Sequence, residues 1–365
     1  MQYFQANFFT KLPIALFLLI FLNSLYGILI LYSAGFNNFE PWAFKQMLNF
    51  LIFFPIMLVV AMIDIKLIYR FSYLSYLIVL ALLVAVHFFG HTAMGAKRWL
   101  GFAGFRIQPS ELAKIAMVLF LARYFHTMKA ENITKIWHLI PAVIAVILPM
   151  ILIVKQPDLG TAIVILGVSI MIFFAAGVKF WKFITLFIGI IISFPIIWMN
   201  MHEYQKKRIE VFLDPDQDRL GSSYNIIQSK IAIGSGGFWG NGLGKGTQSH
   251  LSFLPEHQTD FIFACLSEDL GFVGGFILLL IYGLIIYLST AIAINAKSMF
   301  TRILVVGITS IYFFHIFINI GMVTGIMPVV GIPLPLISYG GTMVGSILVG
   351  FGFVMNAHIN QRIKI

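Results

Sequence analysis

The sequence predicts an all-α polytopic membrane protein with ten transmembrane helices and a large extracytoplasmic loop between helices 7 and 8. Hydrophobic residues form 60% of the chain and charged residues only 10%, whereas soluble domains carry roughly 45–50% apolar and about 25% charged residues. The apolar residues form long runs, and about 20 such residues cross a bilayer. The ten runs lie near 13–33, 46–63, 71–90, 110–126, 137–154, 160–178, 180–200, 264–288, 302–325 and 335–356. Residues 1–365 are therefore predicted to form a single membrane domain.

The run near 110–126 is the weakest of the ten because it contains Glu111 and Lys114. These residues are three apart, so they share one face of a helix and can form an ion pair. Pro109 and Ser110 provide a helix start signal, with Ser110 as the N-cap. The sequence leaves open whether the two charges form an ion pair at the helix end or the polar wall of a cavity.

The distribution of lysine and arginine predicts which side of the membrane each segment occupies. Short cytoplasmic segments are enriched in these residues, and an even number of spans places both termini on one side. With the termini inside, the cytoplasmic segments contain Lys11, Lys66, Arg70, Arg123, Lys129, Lys135, Lys179, Lys182, Lys297, Arg302, Arg362 and Lys364. The short outer loops contain Lys45, Lys97, Arg98, Arg106 and Lys155. We therefore predict cytoplasmic termini, with the polar loops 91–109 and 201–260 facing outward.

The outer loop 201–260 contains two patterned stretches. Tyr224, Ile227 and Ile231 recur at helical spacing and predict a short helix near 224–233 that lies at the membrane interface or packs as an ordinary loop helix. The glycine-rich tract at 234–246 excludes regular helix. Its spacing matches neither a P-loop nor a dinucleotide fingerprint, so a hinge is favoured over a phosphate-binding loop.

A second irregular segment is predicted near 328–341, where prolines and glycines crowd together before Ser338. Proline removes backbone donors and breaks helices. Broken backbone at membrane depth persists only against protein or a water-filled cavity. We therefore expect an unwound or re-entrant segment lining a cavity, with a simple surface loop as the competing interpretation.

Carboxylates flank the start of the eighth run, and they are the best candidates for chemistry. Glu256 and Asp260 lie where the polar loop meets a membrane helix, a position in which a carboxylate can be partly desolvated yet reachable. From the sequence alone, capping of the following helix is slightly favoured for Asp260. Asp158 is likewise placed to cap a helix, while Lys155 could bind an anion.

Two further features narrow the function classes. The net charge of +10 comes from dispersed basic residues, a pattern that does not indicate nucleic-acid binding. The single cysteine, Cys265, excludes an intrachain disulfide and disfavours a cysteine metal site.

Four tracts together resemble the SEDS family (shape, elongation, division, sporulation). They are Gln108-Pro-Ser-Glu-Leu-Ala-Lys114, Lys155-Gln-Pro-Asp-Leu-Gly-Thr161, Leu254-Pro-Glu through Asp260-Phe-Ile-Phe, and Pro333-Leu-Pro-Leu-Ile-Ser-Tyr-Gly-Gly341. The resemblance spans nearly the whole chain in the same order. The tracts at 213–229 and 246–251 resemble the elongation members more than the division members. One departure concerns Gln258, which stands where the family usually has histidine, so His257 inherits no role.

The resemblance implies a membrane peptidoglycan glycosyltransferase that polymerises lipid II on the outer face of the bacterial cytoplasmic (inner) membrane during cell elongation. It also implies a class B penicillin-binding protein and other elongation-complex membrane proteins as partners. The aspartate matching Asp260 is essential in the family, and the positions of Glu111 and Lys114 form a functional polar pair. We therefore expect Asp260 to act as the general base of an inverting transfer that forms β-1,4 glycan.

The leaving pyrophosphate calls for positive charge. The expected binding or cavity residues are Arg98, Glu111, Lys114, Lys155, Arg208, Lys245, Glu256 and Ser338. The resemblance favours a divalent cation, Mg²⁺ or Mn²⁺, although the sequence identifies no ligands for it.

Two alternatives use the same features differently. A lipid II flippase would explain broken helices and intramembrane charges, although no internal repeat is seen. A non-catalytic scaffold of the elongation complex would need no catalytic residue at position 260.

Overall fold

The computed structural model describes residues 11–93, 96–102, 105–201, 203–214, 223–250, 254–361 and 363. Helices dominate, and a small sheet lies between the third and fourth helices. The helices are α1 (Ile14–Ala34), α2 (Trp42–Met62), α3 (Ile65–Phe89), α4 (Pro109–Thr127), α5 (Ala130–Ile133), α6 (Ile140–Val154), α7 (Leu159–Ala175), α8 (Phe180–Asn200), α9 (Glu203–Leu213), α10 (Tyr224–Ser235), α11 (Thr247–His250), α12 (Ile262–Asn295), α13 (Met299–Thr324) and α14 (Gly341–Ile359). A 3₁₀ turn covers Ile136–His138.

Six of these helices are long and apolar enough to cross a membrane, namely α1, α2, α3, α12, α13 and α14. Three shorter apolar helices, α6, α7 and α8, coincide with other predicted spans. Helix α4 matches the weak run near 110–126 and begins at Pro109. Its N-cap is Gln108, so the prediction that Ser110 caps this helix was wrong. The mostly helical, multi-pass architecture is confirmed, while the number of ten spans stays a prediction.

Helices α4, α13 and α14 form the centre of the bundle. In both α13 and α14, 72% of the most apolar stretch is buried inside the protein, against 28% in α2 and α3. Helix α14 packs on α2, and α13 packs on α4, α7 and α12. Helix α8 lies at the periphery, since none of its described side chains is buried.

The loop at 91–109 contains a small antiparallel sheet that the sequence analysis did not predict. Its strands are β1 (His91–Ala93), β2 (Ala96–Phe102) and β3 (Phe105–Ile107), in the order β1-β2-β3. Trp99 pairs with His91, and Leu100 pairs with Ile107. The sheet gives Arg98 a fixed backbone position.

Helix α12 breaks at Gly271, two residues beyond Asp269. Gly271 has φ 64° and ψ −161°, a conformation that is essentially restricted to glycine. The glycine-rich tract packs against this break: the amides of Asn241 and Gly242 donate to the carbonyls of Glu268 and Asp269 at 3.0 and 2.9 Å. The tract is therefore docked on α12 by main-chain hydrogen bonds.

Side chains of α12 anchor the same part of the loop. Glu268 and Asp269 are fully buried. The Glu268 carboxylate accepts from the Gln248 amide at 2.8 Å, and Asp269 accepts from the Ser33 hydroxyl. Cys265, also fully buried, has its Sγ 3.8 Å from Asp269 Oδ2. This first part of α12 is thus tied to both α1 and the loop.

Gly271→Ala is expected to lower the free energy of unfolding by about 1–3 kcal/mol, because alanine strains this backbone conformation. Its Cβ would also collide with the main chain of Gly240 and Phe238. Gly283→Ala, in the same helix, is the matched control, because a Cβ there meets no atom within 4 Å. Thermal unfolding in detergent measures both variants, and equal midpoints would contradict the packing at the break.

Residues 325–340 between α13 and α14 are non-helical, as predicted for the segment near 328–341. We call residues 328–340 the unwound segment. Leu334, Leu336, Ile337 and Ser338 are fully buried in it, and the main chain of Leu336 packs directly against Gly27 of α1. The segment is embedded in protein, so the alternative of a simple surface loop was wrong.

The short helix predicted at 224–233 is present as α10, but its packed face differs from the predicted stripe. Ile226, Ser229 and Ala232 are buried, and the Ser229 hydroxyl donates to the Val323 carbonyl at 2.9 Å. Ile231 of the predicted stripe is 45% exposed. The helix therefore packs on α13, and membrane contact through its other face stays a prediction.

Candidate active site

The predicted polar segments meet at one end of the bundle. The Arg98 guanidinium donates from Nε to the Gln156 carbonyl at 3.1 Å and also contacts the Pro157 carbonyl. The hydroxyl of Thr342 donates to the carbonyl of Arg106 at 3.1 Å. The sheet, the connection between α6 and α7, and the start of α14 thus contact one another at this end.

Asp260 lies two residues before the first residue of α12. The N-cap of that helix is Phe261, and no side chain caps it, so the capping interpretation of Asp260 was wrong. Asp260 remains partly exposed. Among the described residues, no hydrogen bond to its carboxylate is formed. The side chain is thus partly desolvated and still within reach of a ligand.

The surroundings of Asp260 raise the pKa of its carboxyl from 3.8 to about 6. Burial is the largest cause, because it disfavours the charged form. The negative charge of Glu256 raises the pKa further, Arg208 and Arg98 lower it, and Asp158 adds a smaller increase. A carboxylate with this pKa is ionised near neutral pH and is a stronger base than an ordinary aspartate.

Three consecutive main-chain carbonyls lead into this site, and each accepts a hydrogen bond. The main-chain amide of Tyr339 donates to the Gln258 carbonyl at 3.0 Å, and the Ser338 hydroxyl donates to the Thr259 carbonyl at 2.6 Å. The side-chain amide of Asn319 donates to the Asp260 carbonyl at 2.8 Å. Ser338 is fully buried and also accepts from the Leu334 amide at 2.7 Å. It therefore holds the backbone of this segment and does not present its hydroxyl to a ligand.

Asp158 is a helix cap, as predicted. Its carboxylate accepts from the amide and the hydroxyl of Thr161 at 3.2 and 2.9 Å. Gln108 also donates to it, at 3.3 Å. Capping thus fixes the start of α7 beside the carbonyls that bind Arg98.

The charges of Glu111 and Lys114 form a buried ion pair with a distance of 2.8 Å between Lys114 Nζ and Glu111 Oε1. Lys114 is only 1% exposed, and its ammonium also contacts His315 Nε2 at 2.6 Å. Ser346 donates to the second Glu111 oxygen at 3.0 Å. The ion pair is therefore observed, and the same two side chains also line a small cavity together with Tyr312 and Ser346, so the role of a polar cavity wall stays a prediction. In this arrangement the Lys114 ammonium is buried and paired, so it is not presented outward as a clamp for pyrophosphate.

The remaining predicted residues fall into two groups. Glu256 and Arg208 are partly exposed, and their charges shift the pKa of the Asp260 carboxyl. The Glu256 carboxylate also accepts from the Thr259 hydroxyl at 3.0 Å. Lys155 is exposed beside Gln156, whereas Lys245 is exposed on the glycine-rich tract, next to a glycine whose amide donates to Ser33. Lys155 thus adjoins the carbonyl that binds Arg98, and Lys245 lies on the tract that packs against α1 and α12, so the anion-binding roles of both stay predictions.

His257 is buried and packed against neighbouring segments. Its ring nitrogens contact the carbonyls of Leu254 and Ala34 at 3.0 and 3.2 Å. The ring packs edge-on against Trp42. These contacts connect the loop to α1 and α2.

The residues of the site do not by themselves make a metal centre. In the described part of the chain, no group of three or more His, Cys, Asp or Glu side chains is arranged to hold an ion. Mg²⁺ commonly binds through one or two carboxylates, with substrate phosphates and water completing its shell. The expected divalent cation therefore stays a prediction, and no chemical step is derived through it.

Two site residues on α13, His315 and Asn319, were missed by the sequence analysis. Both are buried, and both contact the unwound segment: His315 Nδ1 lies 3.3 Å from the Pro333 carbonyl, and Asn319 Nδ2 donates to the Ile332 carbonyl at 2.7 Å. The signal was available, because polar residues four apart in an apolar run share one helix face and usually have a partner there.

Comparison with known proteins adds to this geometry. The family model of the FtsW, RodA and SpoVE cell cycle proteins matches residues 13–363. The peptidoglycan glycosyltransferase MrdB of Escherichia coli K12 is 44% identical over 309 residues, covering 84% of this chain and 83% of that protein. RodA of Treponema pallidum, also named a peptidoglycan glycosyltransferase, is 32% identical over 412 residues, covering 92% and 94%.

A solved structure supports the same relationship at the level of the fold. It is described as the structural coordination of polymerization and crosslinking by a peptidoglycan synthase complex. It superposes with a TM-score of 0.84 at 26% identity, covering 96% of this chain and 98% of that chain.

Proposed function

Because this chain belongs to the FtsW/RodA/SpoVE family of cell cycle proteins, we propose that it is a peptidoglycan glycosyltransferase that polymerises lipid II, with Asp260 as its general base. The names of its relatives support the activity. The observation that carries the residue assignment is the Asp260 carboxylate, which is partly exposed, has a raised pKa and lies within the electrostatic influence of Arg208 and Arg98.

In the proposed reaction, Asp260 accepts the proton of the 4-hydroxyl of the acceptor GlcNAc. The oxygen attacks C1 of the donor MurNAc, and the bond from C1 to undecaprenyl pyrophosphate breaks. An α-linked donor gives a β-1,4 product by inversion. A positioned base contributes about 10²–10⁴-fold to such a step. Arg98 and Arg208 would stabilise charge on the leaving pyrophosphate, with the exposed Lys155 next to the carbonyl that binds Arg98.

We also propose a topology of ten spans, with cytoplasmic termini and the Asp260 site on the outer face of the bacterial cytoplasmic membrane. The basic residues predicted to be inside support it. Arg123, for example, stacks on Tyr69 and Tyr73 and donates to the Arg70 carbonyl at 2.7 Å. These contacts join the far ends of α3 and α4, away from the sheet. Arg362 and Lys364 of the predicted set lie outside the described residues.

A crosslinking partner fits the same proposal. The similar solved structure is that of a complex that coordinates polymerization and crosslinking, and a class B penicillin-binding protein supplies crosslinking activity. We propose that this chain and such a transpeptidase work together in cell elongation, alongside the other membrane proteins of that machinery.

The test is incubation of purified protein, alone and with its transpeptidase, with lipid II in detergent and in proteoliposomes. Glycan polymer is the expected product. Accelerated translocation of lipid II without polymer would instead support the flippase alternative. If neither polymer nor translocation is detected under conditions in which a relative such as MrdB polymerises lipid II, the result would support the scaffold alternative.

The pH dependence of polymerisation provides a further prediction. With a pKa of about 6, Asp260 loses its basic form below that pH, so the rate should fall about tenfold per pH unit on the acid side. Glu256→Gln removes a negative charge that raises this pKa, so the acid limb should move to lower pH. Initial rates measured from about pH 4.5 to 8 test this.

Glu131→Gln is the matched control for that measurement, because Glu131 is an exposed carboxylate of α5 outside the site. Its profile should coincide with that of the unmodified protein. An acid limb that stays in place in Glu256→Gln would remove Glu256 from the electrostatics of the base.

A further inference from the structure

We propose that Asn319 is a positioning residue that holds the main chain of Asp260 against the unwound segment and thereby aims the carboxylate. This inference rests on the proposed role of Asp260 as the base. It concerns a residue on another helix that does not approach the substrate, because Asn319 is fully buried.

The Asn319 amide joins two parts of the chain that are remote in sequence. Its Nδ2 donates to the Asp260 carbonyl at 2.8 Å and to the Ile332 carbonyl at 2.7 Å. An asparagine amide nitrogen has two N–H donors, so both are used. The described residues provide no partner for its Oδ1. The two donated hydrogen bonds therefore set the orientation of the side chain.

Both bonds affect where the Asp260 carboxylate lies. Gly331, directly before Ile332, has φ 73°, and a Cβ added there would lie 3.3 Å from Asp260 Oδ2. The carboxylate thus rests against the main chain of the unwound segment. If the main chain of Asp260 shifted relative to Ile332, the carboxylate would move away from this surface. A displacement of about 1 Å in a reacting group can lower a rate by as much as 100-fold.

The chemistry of asparagine suits this position. Two donors on a short stem can bridge two carbonyls that lie on either side of it, whereas leucine offers no donor and serine only one. Ser338 and Tyr339 hold the two preceding carbonyls. Asn319 is therefore the contact closest to the reacting side chain, and it alone of the three comes from α13.

The experiment compares Asn319→Leu with Asn356→Leu, each purified as the full chain. Asn356 is the matched control, because its buried amide also donates to main-chain carbonyls, those of Ala61 and Ile63 at 3.1 and 2.5 Å. It lies in α14 at the other end of the bundle. Both variants should lose stability to a similar extent, as measured by thermal unfolding.

Only Asn319→Leu should lose catalysis. We expect kcat for lipid II polymerisation, per folded molecule, to fall about 10- to 100-fold while KM changes little. The acid limb of its pH profile should also move below about 6, because a released carboxylate gains solvent while Glu256, Arg208, Arg98 and Asp158 stay in place. A purely structural role would change the folded fraction and leave the pH midpoint unmoved.

A folded Asn319→Leu protein with kcat within twofold of the unmodified chain and an unchanged pH midpoint would overturn the proposal. If that variant does not fold, Asn319→Ser, which keeps one donor, is judged by the same two criteria. Asp260→Asn, assayed in parallel, separates the two hypotheses: if it is active, the general base fails, and if it is inactive while Asn319→Leu is normal, only the positioning role fails.

Discussion

Asp260→Asn is expected to lower the rate of lipid II polymerisation by about 10²–10⁴-fold, the usual contribution of a positioned general base. The change keeps the size of the side chain but removes the carboxylate that would accept the acceptor proton. No described hydrogen bond to that carboxylate is lost, and the main-chain bond from Asn319 does not depend on it. Folding should therefore be preserved, and the effect should appear in kcat.

The control for this variant is Asp64→Asn, which makes the same chemical change at a different site. Asp64 caps α3 and accepts from the Lys66 amide at 2.9 Å. It should polymerise lipid II at close to the normal rate. A folded Asp260→Asn protein that polymerises as fast as this control would exclude Asp260 as the base.

Lys114→Met is the second variant with a large expected effect, in this case on stability. Removing one member of a buried ion pair leaves the other charge unpaired, and such changes cost about 3–5 kcal/mol. The orphaned group here is the Glu111 carboxylate, which would keep only the hydroxyl bond from Ser346 at 3.0 Å. Chemical or thermal unfolding in detergent measures the loss.

Two comparisons sharpen this expectation. The double variant Glu111→Gln with Lys114→Met removes both charges and should recover part of the loss. Lys206→Met breaks another pair with the same spacing, Lys206 with Glu203 at 3.0 Å, but Glu203 is 90% exposed there. An exposed pair contributes about 0–1 kcal/mol. Similar losses in Lys114→Met and Lys206→Met would mean that the buried pair is not structurally important.

Helix positions followed from the sequence because long apolar runs leave few alternatives in a membrane. The break in α12 and the unwound segment were also predictable, since Gly271 and the prolines near 333 remove the options for regular helix. The sheet at 91–107 was not predicted, because its strands are short and its pairing depends on contacts that no local pattern encodes.

The site was predicted only in part. Asp260 and Asp158 have the same local signature, a carboxylate just before an apolar run, yet Asp158 caps its helix and Asp260 does not. The difference arises from tertiary contacts, because Asn319, Ser338 and Tyr339 fix the backbone of residues 258–260 in place of a cap. The burial of Lys114 is likewise set by α13, through His315.

Because Cys265 is buried, its reactivity in the unmodified chain can report on folding near the site. It is the only cysteine of the sequence, it is fully buried, and it lies in the first turns of α12, five residues beyond Asp260. A maleimide should therefore react only with molecules in which this part of the helix has opened. The labelling rate measures that opening directly, so each variant discussed above can be checked for local integrity beside the site without introducing a probe.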